Sequence, residues 1–288
     1  MFHIPTKKLS SGLELPVLGL GTWRVGGRDT PDYGSDREAV AALTLAMEEG
    51  FRHVDTAEMY GGGHTEELLG EVLKEQPRAS YRITGKVWKT HLDYDGVLAA
   101  CDASLQRLHS DYFDLYLIHQ VAPEADWPGV LRAFERLQQE GRVRHCGVSN
   151  FTPERWDALQ KMTPLALEAN QVHYNLSCRE AEAAGLPDYC RTRDRMLIAW
   201  RPLQKGMLAL DYPLMRELCA KYGKTPVQIA LNFLISQSRV VVIAAMLDAA
   251  HRRENAGAVG WELEPDDLER LRRAWPDRHD RSAAVPLS

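Results

Sequence analysis

The sequence predicts an α/β fold, a (β/α)8 or TIM barrel, and three observations lead to that prediction. Short apolar runs alternate with longer amphipathic segments along the whole chain, a pattern typical of parallel strands joined by helices. There are eight such apolar runs. The chain of 288 residues contains no Pro-, Gly- or Ser-rich linker, and barrels of this kind ordinarily reach this length as one unit. We therefore predict a single domain covering 1–288.

The predicted strands are short runs rich in β-branched, aromatic and other apolar residues. They lie at 17–23, 51–57, 81–88, 113–120, 143–150, 167–175, 196–203 and 239–246. In such a barrel the functional groups sit at the carboxyl ends of the strands, so those ends are where function is sought.

Amphipathic segments with apolar residues three and four apart predict the helices. They lie at 36–49, 65–75, 96–108, 127–139, 153–161, 226–235 and, after the last strand, 265–274. Thr-Pro pairs at 152–153 and 225–226 predict helix starts, and Gly50, Gly141 and Gly223 are expected at helix ends.

The two ends of the chain lie outside the eight repeats. A hairpin that turns on Ser11 and Gly12 precedes the first predicted strand, where it is placed to plug the opposite end of the barrel. An irregular C-terminal tail follows the last helix and is too short to form a domain.

Composition and charge exclude several classes of function. A net charge of −5 at pH 7 gives no electrostatic reason to attract nucleic acid or an anionic membrane. No run approaches the roughly 18 apolar residues of a membrane span, and the N-terminus lacks the apolar core of a signal peptide. The five cysteines are scattered, without CxxC or zinc-like spacing. We therefore expect a cytoplasmic protein, a monomer or weak homo-oligomer, that acts on a small molecule.

Polar and aromatic side chains follow the predicted strands. In chain order they are Trp23, Asp55, Lys86, Trp88, His119, Ser149, Asn150, Gln171 and Trp200, and Tyr60 joins them from the loop after the second strand. Taken alone, Lys86 is more readily explained as an ion-paired lysine at the barrel mouth, Tyr60 as a core aromatic and His119 as a satisfied buried histidine. Asp55, Lys86 and His119 follow successive strands, however, so a closed barrel brings them together with Tyr60. The combination indicates a functional site.

Seven short motifs then occur in one order along the chain. They are GLGTW, DTAEMYG, GKVW, LYLIH, GVSNF, NQVHYN and REN. With these motifs the chain resembles the aldo-keto reductase family, and in particular bacterial-type members such as methylglyoxal and aldehyde reductases. The resemblance implies an oxidoreductase that reduces small aldehydes or ketones to alcohols by hydride transfer from a nicotinamide cofactor, with NADPH expected and NADH as the alternative.

Four of these residues suit the reduction of a carbonyl group. Hydride addition leaves an alkoxide, so the site needs a proton donor and groups that stabilise negative charge. Tyr60 is the expected donor, although its ordinary pKa of about 10 makes it a reluctant one at neutral pH. Lys86 is expected to lower that pKa by roughly one to three units. Asp55 would hold Lys86, and His119 would add a hydrogen bond to the carbonyl oxygen.

The resemblance also implies that the dinucleotide lies extended across the barrel mouth. Ser149, Asn150 and Gln171 would hydrogen-bond the nicotinamide carboxamide. Trp200 would stack on the ring where the family usually has a tyrosine. The other expected cofactor contacts are Gly21, Thr22, Trp23, Arg201, Leu203, His251, Glu254 and Asn255.

The adenosine end departs from the family pattern. Where the family often has a Pro-Lys-Ser or Pro-Gly-Thr turn for the 2′-phosphate, this chain has Ala244, Ala245 and Met246, which offer no charge and no side-chain donor. His251 matches the position of a phosphate-binding arginine, and Arg252 is expected to reach the phosphate from the flank. We therefore expect weak discrimination between NADPH and NADH.

The expected substrate contacts are Trp23, Trp88 and Gln120. The two tryptophans would form an apolar slot, or would simply pack at the barrel rim. Gln120 stands where relatives often have tryptophan, which makes the slot more polar and roomier and suits hydroxylated or dicarbonyl substrates.

Two other functions stay open at this point. His53, Asp55, His119 and His173 could ligate a metal ion in a barrel hydrolase, although the first strand lacks the HxH of such sites. The barrel could also be a non-catalytic nucleotide-binding subunit with a regulatory or biosynthetic role, because a fold does not fix a function.

Overall fold

The computed structural model describes residues 1–204, 211–276 and 278–288. A hairpin comes first, formed by β1 (Thr6–Lys8) and β2 (Glu14–Pro16). The strands that follow are β3 (Leu18–Gly21), β4 (His53–Asp55), β5 (Arg82–Val87), β6 (Phe113–Ile118), β7 (Val143–Ser149), β8 (Leu167–His173), β9 (Met196–Trp200) and β10 (Val240–Ala244). Each lies inside one of the eight predicted runs.

These eight strands close into a barrel. Each is parallel to its neighbours, and the order around the ring is β10, β3, β4, β5, β6, β7, β8 and β9. The ring closes because β10 pairs with β3 on one side and with β9 on the other. The predicted fold class is confirmed, whereas the assignment of the full length to one domain stays a prediction.

The helices of the described residues lie between the strands and after them. They are α1 (Asp36–Glu49), α2 (His64–Leu73), α3 (Tyr94–Arg107), α4 (Trp127–Gln139), α5 (Pro153–Gln160), α6 (Glu180–Ala183), α7 (Leu186–Thr192), α8 (Pro213–Tyr222), α9 (Pro226–Ile235), α10 (Ala249–Ala256) and α11 (Pro265–Ala274). Short 3-10 helices cover Tyr60–Gly63, Arg78–Ser80 and Lys89–His91. The predicted amphipathic segments do not include α6, α7 or α8, although the expectation of a helix end at Gly223 is confirmed for α8.

The helix ends follow the predicted capping chemistry. The Thr152 side chain accepts a hydrogen bond from the backbone of α5, and Thr225 forms a capping box with Gln228 at the start of α9. Gly50 and Gly223 end α1 and α8 with φ of 109° and 62°, a left-handed conformation that glycine adopts without strain. Gly141 comes one residue after the C-cap of α4.

The N-terminal hairpin plugs the barrel as the sequence predicts. The residues Leu9, Leu13 and Leu15 are almost fully buried in one cluster with inward-facing side chains of the barrel. These partners are Leu115, Leu117, Ala169, Met196, Ile198, Val241 and Ile243. The barrel interior is therefore a packed core, and the hairpin closes the end of the barrel opposite to the carboxyl ends of the strands.

We expect Leu13→Ala to destabilise the protein by about 2–5 kcal/mol, because it removes buried methyl groups and leaves a cavity in the plug. Leu13 is 1% exposed, whereas Leu45 on α1 is 48% exposed. Leu45→Ala is thus a matched control with an expected change within about 0.5 kcal/mol. Chemical denaturation measures both, and equal effects of the two substitutions would contradict the proposed plug.

The C-terminal tail crosses the carboxyl ends of the strands. The backbone of His279 bonds to Ser177 and Arg179, next to the end of β8. The backbone of Ser288 bonds to Asn150 and Thr152, next to the end of β7. Both ends of the tail are thereby anchored beside the barrel mouth. Among the described residues, no helix has the combined length and apolar character needed to cross a bilayer.

Candidate active site

Four predicted side chains meet at the carboxyl ends of neighbouring strands. Asp55 ends β4, Lys86 lies near the end of β5, His119 follows β6, and Tyr60 begins the 3-10 helix after β4. The Lys86 Nζ atom donates to Asp55 Oδ1 at 2.7 Å, to the carbonyl oxygen of Thr56 at 2.8 Å and to Tyr60 Oη at 3.2 Å. All three donor positions of the ammonium therefore have partners.

The three glycines after Tyr60 make this arrangement possible. Gly61, Gly62 and Gly63 have φ of 58°, 61° and 99°, a region that side-chain-bearing residues rarely adopt. A Cβ atom at Gly61 would lie 2.7 Å from the carbonyl oxygen of Gly26. The chain can thus turn at once into α2 and leave the phenol of Tyr60 beside Lys86.

The surroundings keep Lys86 charged. Burial lowers the pKa of Lys86, but Asp55 and Tyr60 outweigh it, and the net change is upward. With 1% exposure of both Lys86 and Asp55, the ion pair is almost completely screened from water. We conclude that an ammonium faces the phenol at neutral pH.

The pKa of Tyr60 does not follow the sequence expectation. Burial raises it, and the attraction of Lys86 offsets only part of that rise because Asp55 acts against Lys86. Lys86 does lower the pKa of Tyr60 as predicted, but the net change in that pKa is upward, so the predicted acidification of the phenol is wrong. Tyr60 therefore holds its proton at neutral pH.

His119 is neutral and stands opposite the phenol. Burial lowers its pKa well below the ordinary value, and Lys86 lowers it further. Its ring packs edge-on against Tyr60, with centroids 5.8 Å apart, and against Trp88 at 5.0 Å. The buried Nδ1 atom has no hydrogen-bond partner among the described residues. Since an unpaired N–H is costlier to bury than an unpaired acceptor, the proton belongs on Nε2.

The predicted carboxamide-binding residues form a chain of hydrogen bonds that reaches the ion pair. Gln171 Nε2 donates to Asp55 Oδ2 at 2.6 Å, and Ser149 Oγ donates to the carbonyl oxygen of Gln171 at 2.7 Å. Asn150 Nδ2 donates to Ser149 Oγ at 3.0 Å, and Trp200 Nε1 donates to Asn150 Oδ1 at 3.1 Å. The amide nitrogen of Gln171 is therefore committed to Asp55, a contact that the sequence did not reveal.

One cleft of about 600 Å³ opens above these groups. The predicted site residues that line it are Gly21, Thr22, Trp23, Asp55, Tyr60, Trp88, His119, Gln120, Ser149, Asn150, Gln171, Trp200, Arg201, Leu203, His251, Glu254 and Asn255. Lys86 lies beneath it. The structure thus brings every predicted site residue to one place, while their individual roles stay predictions.

The cleft also has walls that the sequence did not predict. Arg24, Met59, Val227 and Val285 belong to it. Arg24 was detectable, since it directly follows the GLGTW motif, whereas Val285 reaches the cleft only because the tail folds back.

Trp200 has one covered face. His173 stacks on it with ring centroids 4.5 Å apart and planes 15° apart. His173 is itself held by Ser282 Oγ at 2.6 Å and Gln204 Oε1 at 2.8 Å. The guanidinium carbon of Arg201 also lies 5.1 Å from the centroid of the Trp200 ring. A planar ligand in the cleft would stack on the face of the indole opposite to His173. The NQVHYN motif contained His173, but the sequence did not predict this supporting role.

The proposed metal ligands are dispersed. His53 bonds Thr84 inside the barrel, and His173 is stacked on Trp200. In the part of the chain that the structure describes, no group of three or more His, Cys, Asp and Glu could hold a metal ion. The hydrolase alternative is not supported.

His53 makes the fold sensitive to acid. Burial and the charge of Lys86 lower its pKa to about 3, and the unfolded value is 6.5. The unfolded chain binds more protons between these values, so the stability due to neutral His53 is complete above pH 6.5 and falls as the pH drops towards 3.

We expect His53→Gln, which can still bond Thr84, to reduce the pH slope of the unfolding free energy by up to about 1.4 kcal/mol per pH unit in this window. Denaturation curves of both proteins between neutral and acid pH measure that slope. Parallel curves would show that His53 ionises with an ordinary pKa.

A buried ammonium, a carboxylate and a protonated phenol lie under a cleft at the carboxyl-terminal face of a (β/α)8 barrel, an arrangement typical of enzymes that use acid–base chemistry. Comparison with known proteins then gives the family. A sequence model described as "Aldo/keto reductase family" matches residues 17–276, and the chain belongs to this family.

Known relatives align over most of their length. The chain is 34% identical to glyoxal reductase of Bacillus subtilis over 92% of this chain and 91% of that protein. The thermostable aldo-keto reductase Tm1743, solved with the inhibitor epalrestat, is 38% identical with a TM-score of 0.90, covering 94% and 99% of the two chains. An aldo/keto reductase from Klebsiella pneumoniae, solved with NADP and acetate, is 28% identical with a TM-score of 0.84, covering 99% and 100%.

Proposed function

We propose that the chain is an oxidoreductase that reduces small aldehydes or ketones to alcohols, with a nicotinamide dinucleotide as hydride donor and Tyr60 as general acid. The observation that carries this proposal is the contact of 3.2 Å between Lys86 Nζ and Tyr60 Oη at the floor of the cleft. Family membership supports the reaction class.

The cleft suits a nicotinamide dinucleotide. The face of Trp200 opposite to His173 is a platform for a planar ring, and Asn150 and Gln171 line the cleft with it, where the side-chain oxygen of Gln171 suits the amide group of a carboxamide. Arg24 and Arg201 line the same cleft, where cations suit a diphosphate. The Klebsiella relative was solved with NADP, which supports the same class of cofactor here.

A dinucleotide held in this cleft would supply hydride to the carbonyl carbon. Tyr60 donates its proton to the oxygen, which becomes the hydroxyl of the product. The phenolate left behind is stabilised by the adjacent ammonium of Lys86, while Asp55 and the Thr56 carbonyl hold that ammonium in place. The Nε2 proton of His119 adds a hydrogen bond to the oxygen where negative charge develops.

The raised pKa of Tyr60 suits reduction. A phenol that keeps its proton until a more basic oxygen forms beside it is a donor in the correct state at neutral pH. Lys86 then provides the charge that makes the phenolate tolerable in a buried site. Protonation and charge stabilisation are thus divided between two side chains.

The substrate is proposed to be a small aldehyde, in particular a 2-oxoaldehyde, another dicarbonyl or a short sugar. Trp23 packs edge-on against Tyr60 with centroids 5.0 Å apart, and Trp88 packs against His119, so the two tryptophans bound the space above the acid. Gln120 gives this space one polar wall. A relative named for glyoxal supports a dicarbonyl substrate.

Dinucleotide oxidation with a panel of carbonyls tests this function. Purified protein is mixed with NADPH or NADH and with glyoxal, methylglyoxal, a short sugar or a simple aldehyde. We expect oxidation that depends on the carbonyl. Tight dinucleotide binding without any carbonyl-dependent oxidation would instead favour the non-catalytic subunit.

We also propose a cytoplasmic location and a monomeric or weakly associating state. All five cysteines lie in the described residues as free thiols, which is typical of a reducing compartment. Light scattering of the purified protein measures the oligomeric state.

A further inference from the structure

The cleft has an end remote from Tyr60, formed by the end of β10 and one side of α10. Its lining there consists of Ala244, Ala245, His251, Glu254 and Asn255. The family resemblance assigns this end to the adenosine ribose of a dinucleotide whose nicotinamide lies beside Tyr60. The groups present here decide whether a ribose 2′-phosphate is favoured.

Arg252 cannot serve such a phosphate. Its side chain is 1% exposed. The Nε atom donates to the Glu49 carboxylate at 2.5 Å, and Nη1 donates to the carbonyl oxygens of Met246 and Leu247 at 3.3 and 2.6 Å. The expectation that Arg252 reaches the phosphate from the flank is therefore wrong, because a carboxylate of α1 and two backbone carbonyls already hold the guanidinium.

The start of α10 carries an anion of its own. The Asp248 carboxylate accepts hydrogen bonds from the backbone N–H groups of Ala250 and His251 at 2.8 and 3.0 Å. These bonds lower the pKa of Asp248, with that from His251 the largest cause, so the group is ionised at neutral pH. Helix N–H groups that would otherwise attract a phosphate are occupied, and a second anion there meets a like charge.

The cations of the cleft lie elsewhere. Arg24 follows β3 and Arg201 follows β9, the two strands that flank β10 in the barrel. Both guanidiniums line the cleft, and the pKa of Arg201 is lowered by burial and by the like charge of Arg24. A diphosphate would relieve this repulsion, and NADH and NADPH share that diphosphate.

We propose that this cleft selects a dinucleotide whose adenosine ribose carries a free 2′-hydroxyl, so that NADH is bound and used at least as well as NADPH. The proposal rests on the proposed function. Glu254 places negative charge in the lining at this end, and Asp248 places another at the start of the same helix. His251 is the lining residue that could replace a cation, and Ala245 offers no side-chain donor.

Dissociation constants of NADH and NADPH, read from quenching of tryptophan fluorescence and checked by calorimetry, test the proposal without relying on turnover. We expect NADPH to bind no more tightly than NADH, with the same order in kcat/KM. NADPH tighter by tenfold or more would overturn this inference and leave the proposed function intact. Failure of both dinucleotides to bind would overturn the proposed function itself.

Three variants sharpen the test. Ala245 is exposed at the cleft wall, and Ala245→Lys adds the missing cation, so the affinity ratio should move towards NADPH by roughly tenfold or more. Ala158→Lys adds the same charge at an exposed position of α5, outside the cleft lining, and is the matched control. Arg201→Ser should weaken both dinucleotides by the same factor. An Ala245→Lys protein with an unchanged ratio would contradict the assignment of the ribose end.

Discussion

Tyr60→Phe is expected to lower kcat for carbonyl reduction by about 10²–10⁴-fold, the usual contribution of a positioned general acid. The substitution removes the hydroxyl that contacts Lys86 and leaves the ring between Trp23 and His119. Steady-state kinetics with an aldehyde of the active panel measure the loss.

Dinucleotide affinity is the control for this variant. The ring of Tyr60 is retained and Trp200 is untouched, so quenching of tryptophan fluorescence by the dinucleotide should persist. An active Tyr60→Phe enzyme would mean that the proton comes from another group and that Tyr60 only shapes the cleft.

Lys86→Met should both inactivate and destabilise the protein. Asp55 is 1% exposed and loses its counter-charge, and removing one partner of a buried ion pair ordinarily costs about 3–5 kcal/mol. The phenolate of Tyr60 also loses the ammonium that stabilises it. Denaturant unfolding and kcat measure the two consequences separately.

The double variant Asp55→Asn with Lys86→Met separates the effect of Lys86 on stability from its effect on catalysis. It leaves no unpaired buried charge, so most of the lost stability should return, while activity should remain low because no cation faces Tyr60. Recovery of activity together with stability would indicate that Lys86 acts only on folding.

The fold could be predicted from the sequence because the pattern of apolar runs and amphipathic segments is local and is repeated eight times. Alternating apolar runs and amphipathic segments gave all eight barrel strands, and α1, α4, α9 and α11 have the predicted bounds. The segments α6 and α7, of 4 and 7 residues, are too short for a helical period to stand out. The strands are shorter than the apolar runs that predicted them, because hydrogen bonding between neighbouring strands stops before the apolar run ends.

The site could be predicted only for residues whose position is determined by the end of a strand. Asp55 and Lys86 lie at the carboxyl ends of β4 and β5, His119 follows β6, and closure of the barrel brings them together. The position of Arg252 on a helix does not reveal the partner of its side chain, because that partner, the carboxylate of Glu49, lies 203 residues away in the chain. The predicted lowering of the Tyr60 pKa was wrong for a related reason. The sequence identifies the neighbouring charge of Lys86, but it does not reveal the burial that raises the pKa of the phenol.

A crystal structure with oxidised dinucleotide and a carbonyl ligand tests the central claim most directly. We expect the carbonyl oxygen within hydrogen-bond distance of both Tyr60 Oη and His119 Nε2, with the nicotinamide on the face of Trp200 opposite to His173. A carbonyl bound away from the Tyr60 hydroxyl, or a dinucleotide outside this cleft, would contradict the account.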